Sequence, residues 1–356
     1  VTRGARPGGG KEDCPRFAMY GLPTSARCAA SVGACRDASR WLVATTALKA
    51  ENEVHVLELE EGSNRLECRG VFAHRGEVWD VTASPNDENL FFTVFNDGGS
   101  RDAALWEAND GKLNAKFETK GKQRDLRRVV WSPEAGNSEQ VALASGDGVK
   151  IWDLSRDGGI VSCATGLGEL DNVLAASWNP LDHNVLCASC SDTLRCLDLR
   201  TMTETVTIEG AHEMAARDVD FSKTNQHLLA SGGDDCHTCV WDLRKPSDPV
   251  VKVSSHSHWV WQARFNPYHE QLLLTSSSDS LVQLWNLAQD EEDGNKTEAR
   301  ASSGADLKPH TFDEHEDSVY SVSWSTADPW TFLTLSYDGR VMCNQVPSSV
   351  KYKILL

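Results

Sequence analysis

The chain has 356 residues, a net charge of −17, eleven cysteines and twelve tryptophans. The acidic balance argues against a nucleic-acid or anionic-membrane binder, either of which needs a basic face. No run of 18 or more apolar residues offers a membrane-spanning helix. The odd number of cysteines, without small-scaffold spacing, reads as reduced thiols in a cytosolic setting.

The chain opens on VTRGARPGGGKEDCPR, basic and glycine-rich, with no apolar core of a secretory signal. Residues 1–15 are expected to form a flexible tail; a truncated start and a clipped organelle transit segment are the other readings. From residue 16 onward short strand patterns recur. RWLVATT (40–46), EVHVLELE (53–60) and LECRGVF (66–72) read as a degenerate first set. Then come VWDVTASP (78–85), RRVVWSPE (127–134), LAASWNP (174–180), RDVDFSK (217–223), WQARFNP (261–267) and YSVSWST (320–326). Each alternates apolar with polar or small residues and stops at Ser, Asn or Pro, the pattern of a half-buried strand entering a turn. Two further strands follow each, the second of them carrying Trp or a stand-in at 106, 152, 197, 241 and 285. A period of about 44 residues is the mark of a propeller blade. The fold expected is all-β, a single seven-bladed WD-repeat β-propeller over 16–356. An acidic mobile loop is expected at about 288–309, where LAQDEEDGNKTEARASSGADLKPH (287–310) lengthens the sixth blade. Two segments compete to complete the last blade, KYKILL (351–356) and RFAMYGL (16–22), and the C-terminal one is preferred here.

Within the blades, polar residues fall at matched offsets: His212, Ser231, Asp235 and Trp241, then His256, Thr275, Asp279 and Trp285. His315, Thr334 and Asp338 repeat the set with Asn344 in place of Trp, and His74 pairs with Trp106. A buried indole N–H needs an acceptor; a hydroxyl, a histidine and a turn aspartate can complete that chain. Such sets resemble the structural networks of WD-repeat blades. Cys187-x-x-Cys190 and Cys236-x-x-Cys239 imitate zinc-ribbon spacing. Cys239 lies in a strand, however, where residues three apart face opposite ways, so small buried thiols are the preferred reading. His256 and His258 have no acidic or thiol partners nearby in the chain, so no metal and no cofactor is expected. No nucleophile elbow, Walker loop, zinc-protease motif or dinucleotide fingerprint is present, and repeated residues do not make a catalytic set, so no enzyme is expected.

The residue after the leading apolar position of each first strand should point onto one rim. It is Trp79, Arg127, Leu174, Arg217, Trp261 and Tyr320; residues before the turn aspartates add Asp234, Ser278 and Tyr337. Exposed Trp, Tyr and Arg have the composition of protein-binding hot spots.

SHSHWVWQARFNPYHEQLLLTSSSDS (255–280), DEHEDSVYSVSWSTADPW (313–330), LSYDGRV (335–341), KYKILL, YGL (20–22), VWDVTASP and LASGGDDC (229–236) resemble the EARP- and GARP-complex-interacting protein family. The resemblance spans nearly the whole chain and is strongest from Ala216 onward. It implies a non-catalytic adaptor that binds the endosome-associated recycling and Golgi-associated retrograde tethering complexes. It further implies action in endosomal recycling, retrograde transport and vesicle cargo sorting. The protein would be cytoplasmic, recruited to trans-Golgi network and endosomes, without membrane insertion or nucleic acid, and monomeric by itself. A second reading comes from Trp241-Asp242-Leu243-Arg244, with a decayed copy at Leu197-Asp198-Leu199-Arg200. Boxes of this kind resemble those of cullin-RING ubiquitin-ligase substrate receptors, where Arg244 would contact the ligase adaptor.

Overall fold

The computed structural model describes residues 17–60, 65–119, 125–133, 139–154, 160–165, 170–288 and 307–356. Among these residues twenty-eight strands, β1–β28 in chain order, build seven four-stranded antiparallel sheets, and one helix, α1, follows them. The sheets are the blades of a propeller. The first is β2–β5 (26–74), the second β6–β9 (77–118) and the third β10–β13 (126–165). The fourth is β14–β17 (173–208), the fifth β18–β21 (216–253) and the sixth β22–β25 (260–312). The seventh joins β26–β28 (319–345) to β1 (Ala18–Gly21). The expected tail at 1–15 and most of the expected acidic loop lie outside the described residues.

The core lies between neighbouring sheets rather than inside one. Cys28, Leu42 and Val54 of the first blade pack on Val78, Phe91 and Trp106 of the second. Trp241 of the fifth packs with Cys187 and Cys196 of the fourth. The second strand of a blade, such as β23 (Leu272–Ser277) or β27 (Thr331–Ser336), is therefore buried on both faces, and burying such side chains contributes about 1.5–3 kcal/mol apiece.

Two expectations are corrected. The ring closes through the N-terminal segment, not through KYKILL. Strand β1 pairs with β28 (Arg340–Gln345) in the register Ala18↔Cys343 to Gly21↔Arg340. The C-terminal stretch is instead α1 (Ser348–Leu355), entered at Pro347. Val350 and Ile354, four residues apart on one face, pack against the core between the sixth and seventh blades. Alternation over six residues cannot be told from that helical spacing. The second correction concerns the first blade, whose inner strand is β2, ARCAAS at Ala26–Ser31. Small Ala, Cys and Ser there carry no bulky β-branched or aromatic signal.

Candidate functional site: the bulged rim of the propeller mouth

Seven inner strands line the central channel: β2, β6 (Glu77–Ala83), β10 (Leu126–Trp131), β14 (Val173–Trp178), β18 (Ala216–Phe221), β22 (Val260–Phe265) and β26 (Val319–Trp324). Each ladder skips one residue near its start. The skipped residues are Arg27, Trp79, Arg127, Leu174, Arg217, Trp261 and Tyr320. A β-bulge leaves its extra residue out of the pairing and re-aims the side chain. Repeated in every blade, it sends seven side chains to one mouth, where they line a shared depression of about 310 Å³.

The residues at that mouth interlock. Trp261 donates its indole N–H to Ser278 Oγ at 2.6 Å and lies 4.5 Å, centroid to centroid, from Tyr320. Tyr320 in turn meets Tyr337, which is 41% exposed. Arg217 makes a two-pronged pair with Asp234, at 2.6 and 2.8 Å, and lies over Trp259 and Trp261. Asp125 takes both Arg127, at 2.6 Å, and Arg101, at 3.4 Å. Arg101 also sits 3.9 Å above the Trp79 ring. Trp79, Arg127, Arg217, Asp234, Trp261, Tyr320 and Tyr337, expected separately from sequence, thus belong to one connected cluster. Sequence reasoning missed Arg27, Arg101 and Trp259. Arg27 was legible only through the Ala-Arg-Cys start of the inner strand of the first blade.

Below the mouth the channel is partitioned. Asp218 of the fifth blade, fully buried, accepts Arg128 Nη1 at 2.6 Å and Arg264 Nη2 at 3.0 Å. Asp80 lies beside Arg128; burial drives its carboxyl up to about 6, with Arg128 opposing that rise. These side chains also cap the inner strands' free edges. Asp80 accepts from the Val129 N–H, Asp218 from Ala263, Gln262 from Val322 and Ser321 from Ala29, at 2.8–3.3 Å. Each acceptor comes from the preceding blade, so polar groups that would otherwise lack partners tie the ring together.

The candidate scaffold sets form hydrogen-bond chains. Trp241 donates to Ser231 Oγ at 3.0 Å, Ser231 lies 2.8 Å from His212 Nε2, and His212 Nδ1 is 2.9 Å from Asp235. Trp285, Thr275, His256 and Asp279 repeat this at 3.2, 2.8 and 3.0 Å. Burial alone would raise Asp235 and Asp279; the histidine hydrogen bonds and charge overcome it and hold both near 2. In the second blade His74 and Trp106 meet on Thr93. The seventh blade keeps His315 on Thr334, but Asp338 turns to Ser336 and the Arg340 N–H, leaving His315 Nδ1 without a partner.

Cys236 occupies the turn at φ 66°, whereas Cys239 is buried in the strand Thr238–Asp242, opposite Ser231. The thiols therefore lie in different environments, as strand geometry requires. Arg244 pairs with Asp242 of its own box at 2.6 Å, and Arg200 with Asp198 at 2.9 Å, each arginine side chain well exposed.

Residues 16–285 match the family described as EIPR1 beta-propeller, and 308–343 match the WD domain, G-beta repeat. The chain is 34% identical over 390 residues to "EARP and GARP complex-interacting protein 1" of Homo sapiens, covering 97% of this chain and 100% of that one. It is 36% identical over 338 residues to "WD repeat-containing protein DWA2" of Arabidopsis thaliana, covering 92% and 95%. To "EARP-interacting protein 1" of Caenorhabditis elegans it is 32% identical over 359 residues, covering 95% and 98%. With seven blades, the scaffold networks and a match over most of its length, the chain belongs to the EIPR1 β-propeller family of WD-repeat proteins.

Proposed function

We propose that this protein is a non-catalytic adaptor whose bulged rim grips a multisubunit tethering complex of the EARP and GARP type. It would thereby serve endosomal recycling, retrograde transport and vesicle cargo sorting from the cytoplasmic side of the trans-Golgi network and endosomes. The observation that carries this is the convergence of seven bulge residues, three of them aromatic and three arginine, on one mouth. Rigid aromatics give contact area at low entropic cost, and arginines already held by their aspartates lose less freedom on binding. The relatives' names supply the partner class.

The test is capture of the tethering complex from lysate by the purified chain. Trp261→Ala should weaken capture by about 2–4 kcal/mol while melting stays close to wild type. Arg244→Ala should leave capture unchanged. Equal capture by well-folded Trp261→Ala and wild type places the contact on another face.

A second reading keeps the Trp241-Asp242-Leu243-Arg244 box as a contact for a ubiquitin-ligase adaptor. Its support is that two successive blades present the same exposed arginine locked to its own aspartate. It expects the reverse pattern, with the ligase adaptor lost on Arg244→Ala and kept on Trp261→Ala.

A further inference from the structure

The mouth holds several arginines, and all but one are engaged. Arg101 and Arg127 meet Asp125, Arg217 meets Asp234, and Arg128 meets Asp218. Arg27 has no carboxylate and no hydrogen-bond acceptor among the described residues. It is held by ring faces alone: 4.3 Å from the Trp79 centroid, 4.7 Å from Tyr320 and 5.7 Å from Trp261. Stacking engages the flat faces of a guanidinium and leaves its five N–H donors, which lie at its edge in the plane, without acceptors. Burial lowers the Arg27 pKa, and no carboxylate offsets that effect. The group nonetheless keeps its charge at neutral pH. Beside it, the Trp79 indole N–H is buried and also lacks an acceptor. Both residues line the same depression.

We propose that Arg27 is the docking point for a single carboxylate of a protein partner, carried next to an apolar side chain. The proposal rests on the reading of the rim as a protein-binding face and adds the chemistry it selects. A guanidinium fork matches a carboxylate two-pronged. The aromatic faces already hold a cation, so a lysine or methylated lysine finds no vacant cage. A phosphate dianion calls for a second cation free of carboxylates, but Arg101 and Arg127 share Asp125 and Arg217 holds Asp234, so a dianion there would stand against both aspartates. A polyanion is further disfavoured by the net charge of −17. A depression of about 310 Å³ is at the small end for ligand sites, enough for one acidic side chain or chain terminus with an apolar neighbour. Leu174 and the ring walls supply the apolar contact.

The test is selection of a random decapeptide library on the full chain, once displayed with free C-termini and once with blocked ones. Enriched peptides should share an acidic position beside an apolar one; enrichment only in the free-end library would assign the carboxylate to a chain terminus. Their affinity should fall roughly tenfold or more on Arg27→Gln. Arg27→Lys, which keeps charge but loses the planar fork, should fall in between. Melting of both variants should match wild type, which separates recognition from a packing role. Peptides with no acidic position, an empty selection, or Arg27→Gln binding within about twofold of wild type would overturn the proposal. Lost peptide binding with unchanged capture of the tethering complex would uphold it and overturn the choice of partner for this face.

Discussion

Arg128 and Asp218 meet across the central channel, Nη1 2.6 Å from Oδ1, although their strands belong to the third and fifth blades. The blade between them presents Ala175 at the matching position, which leaves the space. Asp218 also holds Arg264 and the Ala263 N–H. Asp218→Asn removes the carboxylate that two half-buried arginines share, leaving Arg128 only the more distant Asp80. A loss of about 3–5 kcal/mol is expected in urea unfolding. Arg128→Met should cost less, because Asp218 keeps Arg264. The double variant should recover part of the loss; strict additivity would show that the pair does not couple.

Acid should destabilise the fold between about pH 6.5 and 4. Burial holds His74 and His315 down near 4, below the usual 6.5. As pH falls the unfolded chain takes those protons first, so the stability present above 6.5 drains away toward 4. Each such group gives a slope of about 1.4 kcal/mol per unit. Asp80, driven up to about 6 by burial, acts with opposite sign: the folded state takes its proton first as pH falls, relieving a cost present above 6. His74→Gln should therefore flatten the dependence and Asp80→Asn steepen it. Urea midpoints between pH 7.5 and 5 check both, and unchanged slopes would reject the assignment.

Trp241→Ala should open a cavity between the fourth and fifth blades and leave Ser231 without its indole donor. A loss of about 3–5 kcal/mol follows from the deleted volume. Ser231→Ala keeps the volume and should cost less, about 1–3 kcal/mol, by leaving the buried indole N–H unmet. EDTA should not move the melting temperature; a large drop would restore a metal to Cys236 and Cys239.

The two termini should tolerate deletion unequally. Removal of residues 1–22 exposes the β28 edge and should lower melting by many degrees and promote aggregation. Removal of 348–356 takes away the half-buried Val350 and Ile354 and the Lys351–Trp330 contact, on the order of 1–2 kcal/mol. Equal losses would contradict the observed closure.

Six inner strands were legible because Val, Trp and Phe alternate before a turn, and the repeat multiplies that signal. The inner strand of the first blade was not, since Ala26–Ser31 lacks such residues. Arg27 went unseen with it. The rim positions could be read by offset, but not the pairing of Arg217 with Asp234 or Arg127 with Asp125. Those depend on how far the bulge throws each side chain. The Arg128–Asp218 pair joins residues of different blades, and only the curvature of the ring brings them together.

The pairing of β1 with β28 also fixes an order in time. The strand synthesised first among those described is matched to the strand synthesised last, so it must wait through the making of all the others. Six blades can assemble behind the ribosome while the circle stays open, with one raw sheet edge at the gap. Such long-range closure is slow. The newborn chain is therefore most vulnerable to capture by a neighbour's edge in the interval before the final blade emerges.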